Sequence, residues 1–191
     1  MAEYGLIQAY VGKGKGKTTA ALGTVIRAVG HGANAAIIQF MKGNMYSGEI
    51  YSLNRFMDQV DLYKFGWTCP HSAMIKEGFM KCQKCGTCFR ENRNPDNKYA
   101  VLALKLAGEL IQSQKYQIIV LDEIGNALRR GLVPESEVTN ILDSRPDGIE
   151  IVLTGRSMPN SIMEMCHYVT EVSAVKHPFE EGVDSRRGIE Y

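Results

Sequence analysis

A chain of 191 residues, 45% of them hydrophobic, can bury roughly 70% of the surface its unfolded form exposes, which excludes disorder as its dominant state. Its 22 Lys and Arg against 21 Asp and Glu leave a formal charge of +1, too little to mark nucleic acid or an anionic membrane as the main partner. No run approaches the ~18 apolar residues of a membrane span, and Met1 to Tyr10 lack the basic start and apolar run of a signal peptide, so a cytoplasmic protein is expected.

Taken in order, the first apolar run, Gly5 to Val11, reads as a strand and the pattern from Lys17 to Val29 as a helix. A strand is expected over Ala35 to Met41, a short helix over about Gly48 to Met57 and a strand over Val60 to Phe65. From Cys69 to Asn94 the rhythm breaks into a polar, cysteine-bearing interval, read as an insertion at about 69–94, after which Pro95-Asp96 supplies a helix start. The next helix is expected from about Asn97 to Ser113, with Tyr99, Leu102, Leu106 and Leu110 on one face. Strands follow at Gln117 to Leu121, Glu150 to Thr154 and Tyr168 to Val175, with a helix at Glu135 to Leu142. Strands alternating with helices predict an α/β fold: one domain over 1–191, with a mostly parallel six-stranded sheet covered by helices on both faces.

Directly after the first strand stands Gly12-Lys13-Gly14-Lys15-Gly16-Lys17-Thr18-Thr19, followed by the helical pattern. Alternating glycines let a backbone turn tightly and aim N–H groups at a phosphate, the helix N-terminus adds positive potential, Lys17 reaches a phosphate oxygen, and the Thr18 hydroxyl suits Mg²⁺. The strict P-loop spacing wants glycine where this chain has Val11, so the loop is a variant. Ile118 to Leu121 then deliver Asp122 and Glu123 to the end of a buried strand, where either carboxylate can hold Mg²⁺ directly or through water.

Of five cysteines, Cys166 reads as core, while Cys69, Cys82, Cys85 and Cys88 cluster. The run Cys82-x2-Cys85-x2-Cys88, with Cys69 returning as a fourth thiol before Pro70, is similar to the ligand run of bacterial ferredoxins and predicts an iron–sulfur cluster. Zinc fits the same residues, and His71 can replace Cys69 in a three-Cys, one-His site.

Together, GKGKGKTTAALG (12–23), QFMKG (39–43), VLDEIGNALRRGL (120–132), VLTGR (152–156) and KHPFEEGVDSRRGIEY (176–191) resemble the P-loop branch of the ATP:cob(I)alamin (corrinoid) adenosyltransferases. The resemblance implies a P-loop NTPase-like fold and a shifted glycine that goes with an inverted nucleotide pose, offering the ribose 5′-carbon with triphosphate as leaving group. Reduced Co(I) is then the nucleophile, and the protein supplies proximity, charge neutralisation and exclusion of water. Lys13, Lys15, Lys17, Thr18 and Mg²⁺ would neutralise the leaving group, with Glu123 as metal carboxylate and Arg156 as a further nucleotide or corrinoid contact. Phe65-Gly66-Trp67 resembles the family's Phe-x-Trp, which implies displacement of the lower axial ligand of cobalt; the alternative is a tryptophan packed in the core. A cluster starting two residues after Trp67 would sit close enough to pass the corrinoid an electron.

The chain departs from the family in carrying Gly125 before Asn126, where Asn commonly precedes, and in its cysteine interval. Its first strand begins by Gly5, without the N-terminal segment that covers the site in some members, so a more open site or closure by a neighbouring subunit is expected. The expected partners are ATP, a corrinoid, an electron-donating flavoprotein or ferredoxin, and a second copy in a homodimer. Competing readings are a phosphotransferase resembling the thymidine kinases that pair a P-loop with a zinc element, and an ATP-binding corrinoid sensor or chaperone.

Overall fold

The computed structural model describes residues 5–43, 47–56, 58–184, 186 and 188–189. Six strands, β1 (Ile7–Val11), β2 (Ala35–Phe40), β3 (Val60–Phe65), β4 (Ile118–Asp122), β5 (Glu150–Thr154) and β6 (Tyr168–Glu171), form one sheet in the order β3-β2-β4-β5-β1-β6. Every neighbouring pair is parallel, so the sheet is wholly rather than mostly parallel. In the middle, β2 and β4 are buried at every position, which is why they read as continuous apolar runs rather than alternating ones.

On one face α1 (Lys17–Gly30) and α2 (Gly48–Leu53) cover the sheet, with Ala21, Val25, Val29 and Leu53 packed on Ile37, Val120 and Val152. The chain leaves α1 through Gly32, whose φ of 82° only glycine adopts without strain, and the amides of Gly32 and Ala33 satisfy the carbonyls of Val29 and Ala28. A 3₁₀ turn, Asn54–Phe56, continues α2; the expected helix end at Met57 lies outside the described residues.

Between β3 and β4 come α3 (Ser72–Lys76), α4 (Thr87–Glu91), a 3₁₀ turn over Pro95–Asn97 and α5 (Tyr99–Gln112). The cysteine interval thus contains two five-residue helices, too short to carry a periodic signal. Pro95-Asp96 does begin a helical turn, capped when the Asp96 amide donates to the Asn94 side chain at 3.1 Å, but the backbone then passes through Lys98 at φ 52° before α5 starts.

The other face of the sheet holds α5, α6 (Ile124–Arg129), α7 (Glu135–Asp143) and α8 (Asn160–Met165). The buried side of α5 is Ala100, Ala103, Leu104, Ala107 and Ile111, whereas Leu102 is 51% exposed and Leu110 packs on the core from a half-buried position, so the leucine face expected from sequence is offset from the one that packs. Small alanines let the helix approach the sheet closely, while Leu104 and Ile111 supply the large buried side chains of the same face. Cys166 ends α8 half-buried against the core, its thiol donating to the Ile162 carbonyl at 3.2 Å and pushed up to about 11 by burial.

A longer side chain at the alanine face has no space to enter. Ala107→Leu is expected to cost about 1–3 kcal/mol through overpacking, while Leu102→Ala changes stability by less than about 0.5 kcal/mol. Chemical denaturation of the two variants side by side checks the face assignment.

Candidate functional site

All the strands run the same way, so their C-terminal ends and the loops that follow lie along one edge, where ligands of open parallel sheets bind. The expected site residues stand on that edge: Gly12 to Thr19 after β1, Phe65 and Trp67 at and after β3, Asp122 and Glu123 at β4, and Arg156 after β5.

After β1 the loop turns at Gly12 (φ 111°) and Gly16 (φ 112°), which caps α1 from the left-handed region. Gly14 is needed for space, since a Cβ there would lie 2.7 Å from the Val172 carbonyl oxygen. The Gly12 amide donates to the Arg156 carbonyl (3.2 Å) and the Gly14 amide to that of Val172 (2.7 Å), so two of the loop's N–H groups tie it to the segments after β5 and β6. Lys13, Lys15 and Thr19 are exposed. The Lys17 ammonium turns back to donate to the Gly14 carbonyl at 2.7 Å; burial, and the like charge of Arg156, push it below the usual lysine range against the pull of Glu123 and Asp122.

Asp122 is 1% exposed and accepts four hydrogen bonds. Thr18 (2.9 Å) and Thr154 (2.7 Å) donate to Oδ1, and Lys42 (2.7 Å) and Gln39 (3.1 Å) to Oδ2. Burial alone would raise this carboxyl, but the Lys42 charge and the hydrogen bonds from Lys42, Thr154 and Thr18 outweigh it and hold the group below the usual carboxylate range. Reciprocally, burial works to lower Lys42, yet the pull of Asp122 holds its ammonium above the usual range. The sequence reading assigned no roles to Gln39, Lys42 and Thr154; the available signal was a glutamine inside the otherwise apolar β2.

Glu123 behaves oppositely. With φ at 68° it sits in the left-handed region, a strain of about 1–3 kcal/mol typical of functional sites. Its amide donates to Thr154 Oγ1 at 2.9 Å and its Oε2 accepts from the Asn126 side chain. Burial, and then the charge of Asp122, raise its pKa despite Lys42, Lys17 and Arg156. Asn126 also accepts from the Arg156 amide at 3.1 Å, so it bridges the loops after β4 and β5. Gly125 makes this possible: a Cβ there would collide with the Ser157 carbonyl and lie 3.0 Å from Gly155.

Phe65 packs against the core, while Trp67 is only partly buried and belongs to neither apolar cluster. The segment is pinned from the cysteine interval, where Asn92 Oδ1 accepts from the Trp67 amide at 2.7 Å. A cavity of about 320 Å³ opens between the cysteine interval and the loops after β4 and β5, lined by Cys88, Phe89 and Arg93 on one side and by Glu123, Arg130 and Arg156 on the other. A second, of about 360 Å³, lies between Lys15 and the segment from Ser173 to Arg186.

In the cysteine interval, Lys84 (φ 52°) and Gly86 (φ 75°) fold the chain into a turn, and Lys84 pairs with Asp184 at 2.8 Å. Cys85 is lowered by hydrogen bonds from Thr87, whereas Cys88 is raised by burial and then by the proximity of Cys69, Cys82 and Cys85. Cys88 thus feels the charge of the other three thiols, but among the described residues no three His, Cys, Asp or Glu side chains converge closely enough to hold a metal ion. No described helix is long and apolar enough to cross a membrane.

A parallel α/β sheet that gathers a glycine–lysine loop, a buried aspartate and a strained glutamate along its C-terminal edge defines the class of site. A family profile described as "ATP:corrinoid adenosyltransferase BtuR/CobO/CobP" matches residues 3–191. The corrinoid adenosyltransferase of Sinorhizobium sp is 35% identical over 99% of this chain and 81% of its own length. That of Pseudomonas aeruginosa is 33% identical, covering 99% and 85%, and corrinoid adenosyltransferase CobA of Salmonella typhimurium is 32% identical, covering 99% and 87%. The chain belongs to the ATP:corrinoid adenosyltransferase family.

Because folding raises the Glu123 pKa, the folded chain holds that proton more tightly and loses stability as pH rises from the ordinary value near 4.5 to the raised one. Glu123→Gln is therefore expected to melt higher than the parent at neutral pH, with the advantage vanishing below about 4.5. Thermal melts across that range measure it.

Proposed function

We propose that this chain carries out the reaction for which its family is named, moving the 5′-deoxyadenosyl group of ATP to the Co(I) of a corrinoid and releasing triphosphate. The observation that carries this reading is the convergence of the loop, the Asp122 network and Glu123 on one edge, in a chain matched by the family profile over 3–191. The electron pair of Co(I) forms the cobalt–carbon bond while the C5′–O bond breaks and its pair leaves on the triphosphate. Such a displacement needs no protein nucleophile; it needs a preorganised cationic cradle for the departing charge.

Lys13, Lys15 and Lys17 form that cradle with the loop amides not already engaged by Val172 and Arg156. The bond from Lys17 to Gly14 is one the ammonium exchanges for a phosphate oxygen. Thr18, Thr19, Gly12, Gly14 and Gly16 shape the cradle, and Arg156 closes it from the β5 side.

The oxygens fit Mg²⁺ unequally. With four donors on it Asp122 is already satisfied and acts through Thr18, orienting its hydroxyl, whereas Glu123 keeps an oxygen not engaged by Asn126. Thr18 and Glu123 are thus the ligands of this reading, and the ion, when bound with ATP, neutralises triphosphate charge. Phe65 and Trp67 contact the corrinoid, consistent with a tryptophan outside both apolar clusters. A reduced flavoprotein or ferredoxin supplies the electron that makes Co(I), and two copies form a homodimer.

Cys69, Cys82, Cys85 and Cys88, with His71 as alternative to Cys69, belong to the same reading as one metal centre, iron–sulfur in preference to zinc. Its support is the spacing of the cysteines, the influence of the other three on Cys88, and the place of Cys88 in the cavity that Glu123 lines. The thiols do not converge as they stand, so no electron-transfer step is derived through such a centre.

Mixed anaerobically with Mg-ATP and a chemically reduced corrinoid, the protein is expected to yield a light-sensitive cobalt–carbon product and triphosphate in equal amounts; ADP in its place overturns the reading. Lys17→Ala should lower turnover about a hundredfold or more, as loss of one preorganised charge on a developing anion does. Near-normal turnover would remove Lys17 from the leaving group.

For the cysteines, anaerobic purification followed by metal and sulfide analysis should return iron with inorganic sulfide and a bleachable brown absorbance. Zinc without colour reduces the centre to a structural staple, and a metal-free protein sinks it.

A further inference from the structure

We infer that the cavity between Glu123 and the cysteine-bearing segment reads the charge on the rim of the corrinoid, with Arg93, Arg129 and Arg130 binding anionic groups there. This rests on the corrinoid reading above and adds the class of substrate the site prefers.

Four guanidiniums, those of Arg93, Arg129, Arg130 and Arg156, line this cavity against a single carboxylate, Glu123; Lys42 lines it too, but its charge is already answered by Asp122 at 2.7 Å. Among the described residues none of the four lies within ion-pair distance of a carboxylate, although short pairs such as Lys84–Asp184 form elsewhere. They come from separate parts of the chain: Arg93 from just after α4, Arg129 and Arg130 from the end of α6, Arg156 from the loop after β5. Arg93 is set over the Phe89 ring, 5.5 Å from its centroid, which restrains a long side chain toward the cavity. Like charges gathered without counter-ions repel one another, and the repulsion from Arg93, Arg129 and Arg156, after burial, loosens the proton of Arg130. An anionic ligand relieves that repulsion, as the protein itself does not.

Glu123 and Arg156 are shared with the nucleotide in the reading above, but that reading gives the triphosphate no contact with Arg93, Arg129 or Arg130. No residue of the glycine–lysine loop lines this cavity, and the loop brings Lys13, Lys15 and Lys17 of its own. Beside the charged groups the lining is mixed, with apolar surface from Phe40, Met41 and Phe89 and polar side chains from Asn92 and Asn126. An apolar floor beside a cationic wall fits a broad macrocycle whose edge carries charge. On a corrinoid that charge comes from free carboxylate side chains or from the phosphodiester of a nucleotide tail, since amidated side chains are neutral.

Equilibrium dialysis of the whole protein against cobyrinic acid (free carboxylates), cobalamin (amidated, with a phosphodiester) and cobinamide (amidated, without phosphate) separates the sources. At low salt at least one of the two anionic corrinoids is expected to bind more tightly than cobinamide, with the preference fading as ionic strength rises. Arg93→Gln combined with Arg130→Gln should reduce that preference about tenfold or more, the scale of lost charge-assisted hydrogen bonds. An unshifted melting temperature shows that the variant folds. Preference for cobyrinic acid assigns the anion as carboxylate, and preference for cobalamin assigns it as phosphodiester. Equal binding of all three, or a preference that survives the double substitution, overturns the charge-reading proposal while leaving the corrinoid reading intact. Failure to bind any of them overturns both.

Discussion

A carboxylate buried to 1% exposure at the end of the central strand β4 has to be answered by donors, and the way Asp122 is answered organises this protein. Its four partners come from α1, β2, the loop after β2, and β5, so a single side chain joins the start of the helix behind the glycine–lysine loop to three points along the sheet edge. Removing any donor leaves a buried charge short of a bond, which makes the network costly to alter piecemeal. Stability and site geometry are therefore the same set of contacts: Thr18 is held in place because the fold needs its hydroxyl on Asp122.

Glu123, one residue on, is held with fewer partners and in a strained backbone conformation. Adjacent carboxylates in one site repel, and here the environment separates them: one kept ionised by a close ammonium and a ring of donors, the other left with an elevated pKa and the single side-chain donor Asn126. The contrast leaves one acid fully answered by donors and the other with fewer partners. Gly125 allows it, since the close approach of α6 to Gly155 lets Asn126 reach both Glu123 and the Arg156 amide.

The cysteine-bearing segment joins this arrangement through backbone contacts as much as side chains. Asn92 accepts from the Trp67 amide, and a Cβ on Gly66 would lie 2.5 Å from the Asn92 side-chain oxygen, so the two strands of chain fit only because that position is glycine. Cys88, Phe89 and Arg93 are thereby brought to the wall opposite Glu123. A segment that interrupts the α/β rhythm in sequence becomes half of a cavity in space.

The α/β class, the strands and the longer helices were legible in the sequence because each rests on local information: β-branched apolar runs, a periodic pattern, a glycine–lysine loop after a strand. The positions of Lys17, Thr18, Asp122 and Glu123 on one edge followed as well, since parallel strands place all their ends together. What the sequence could not decide was the packed face of α5, where close approach to the sheet selected Ala103 and Ala107 over Leu102. Nor could it decide the strand order, or that Gln39, Lys42 and Thr154, 115 positions apart at the extremes (154 − 39), answer the same carboxylate. Those depend on which surfaces meet once the chain is folded. A buried charge chooses its donors by distance in space, and distance in space is set by the tertiary structure alone.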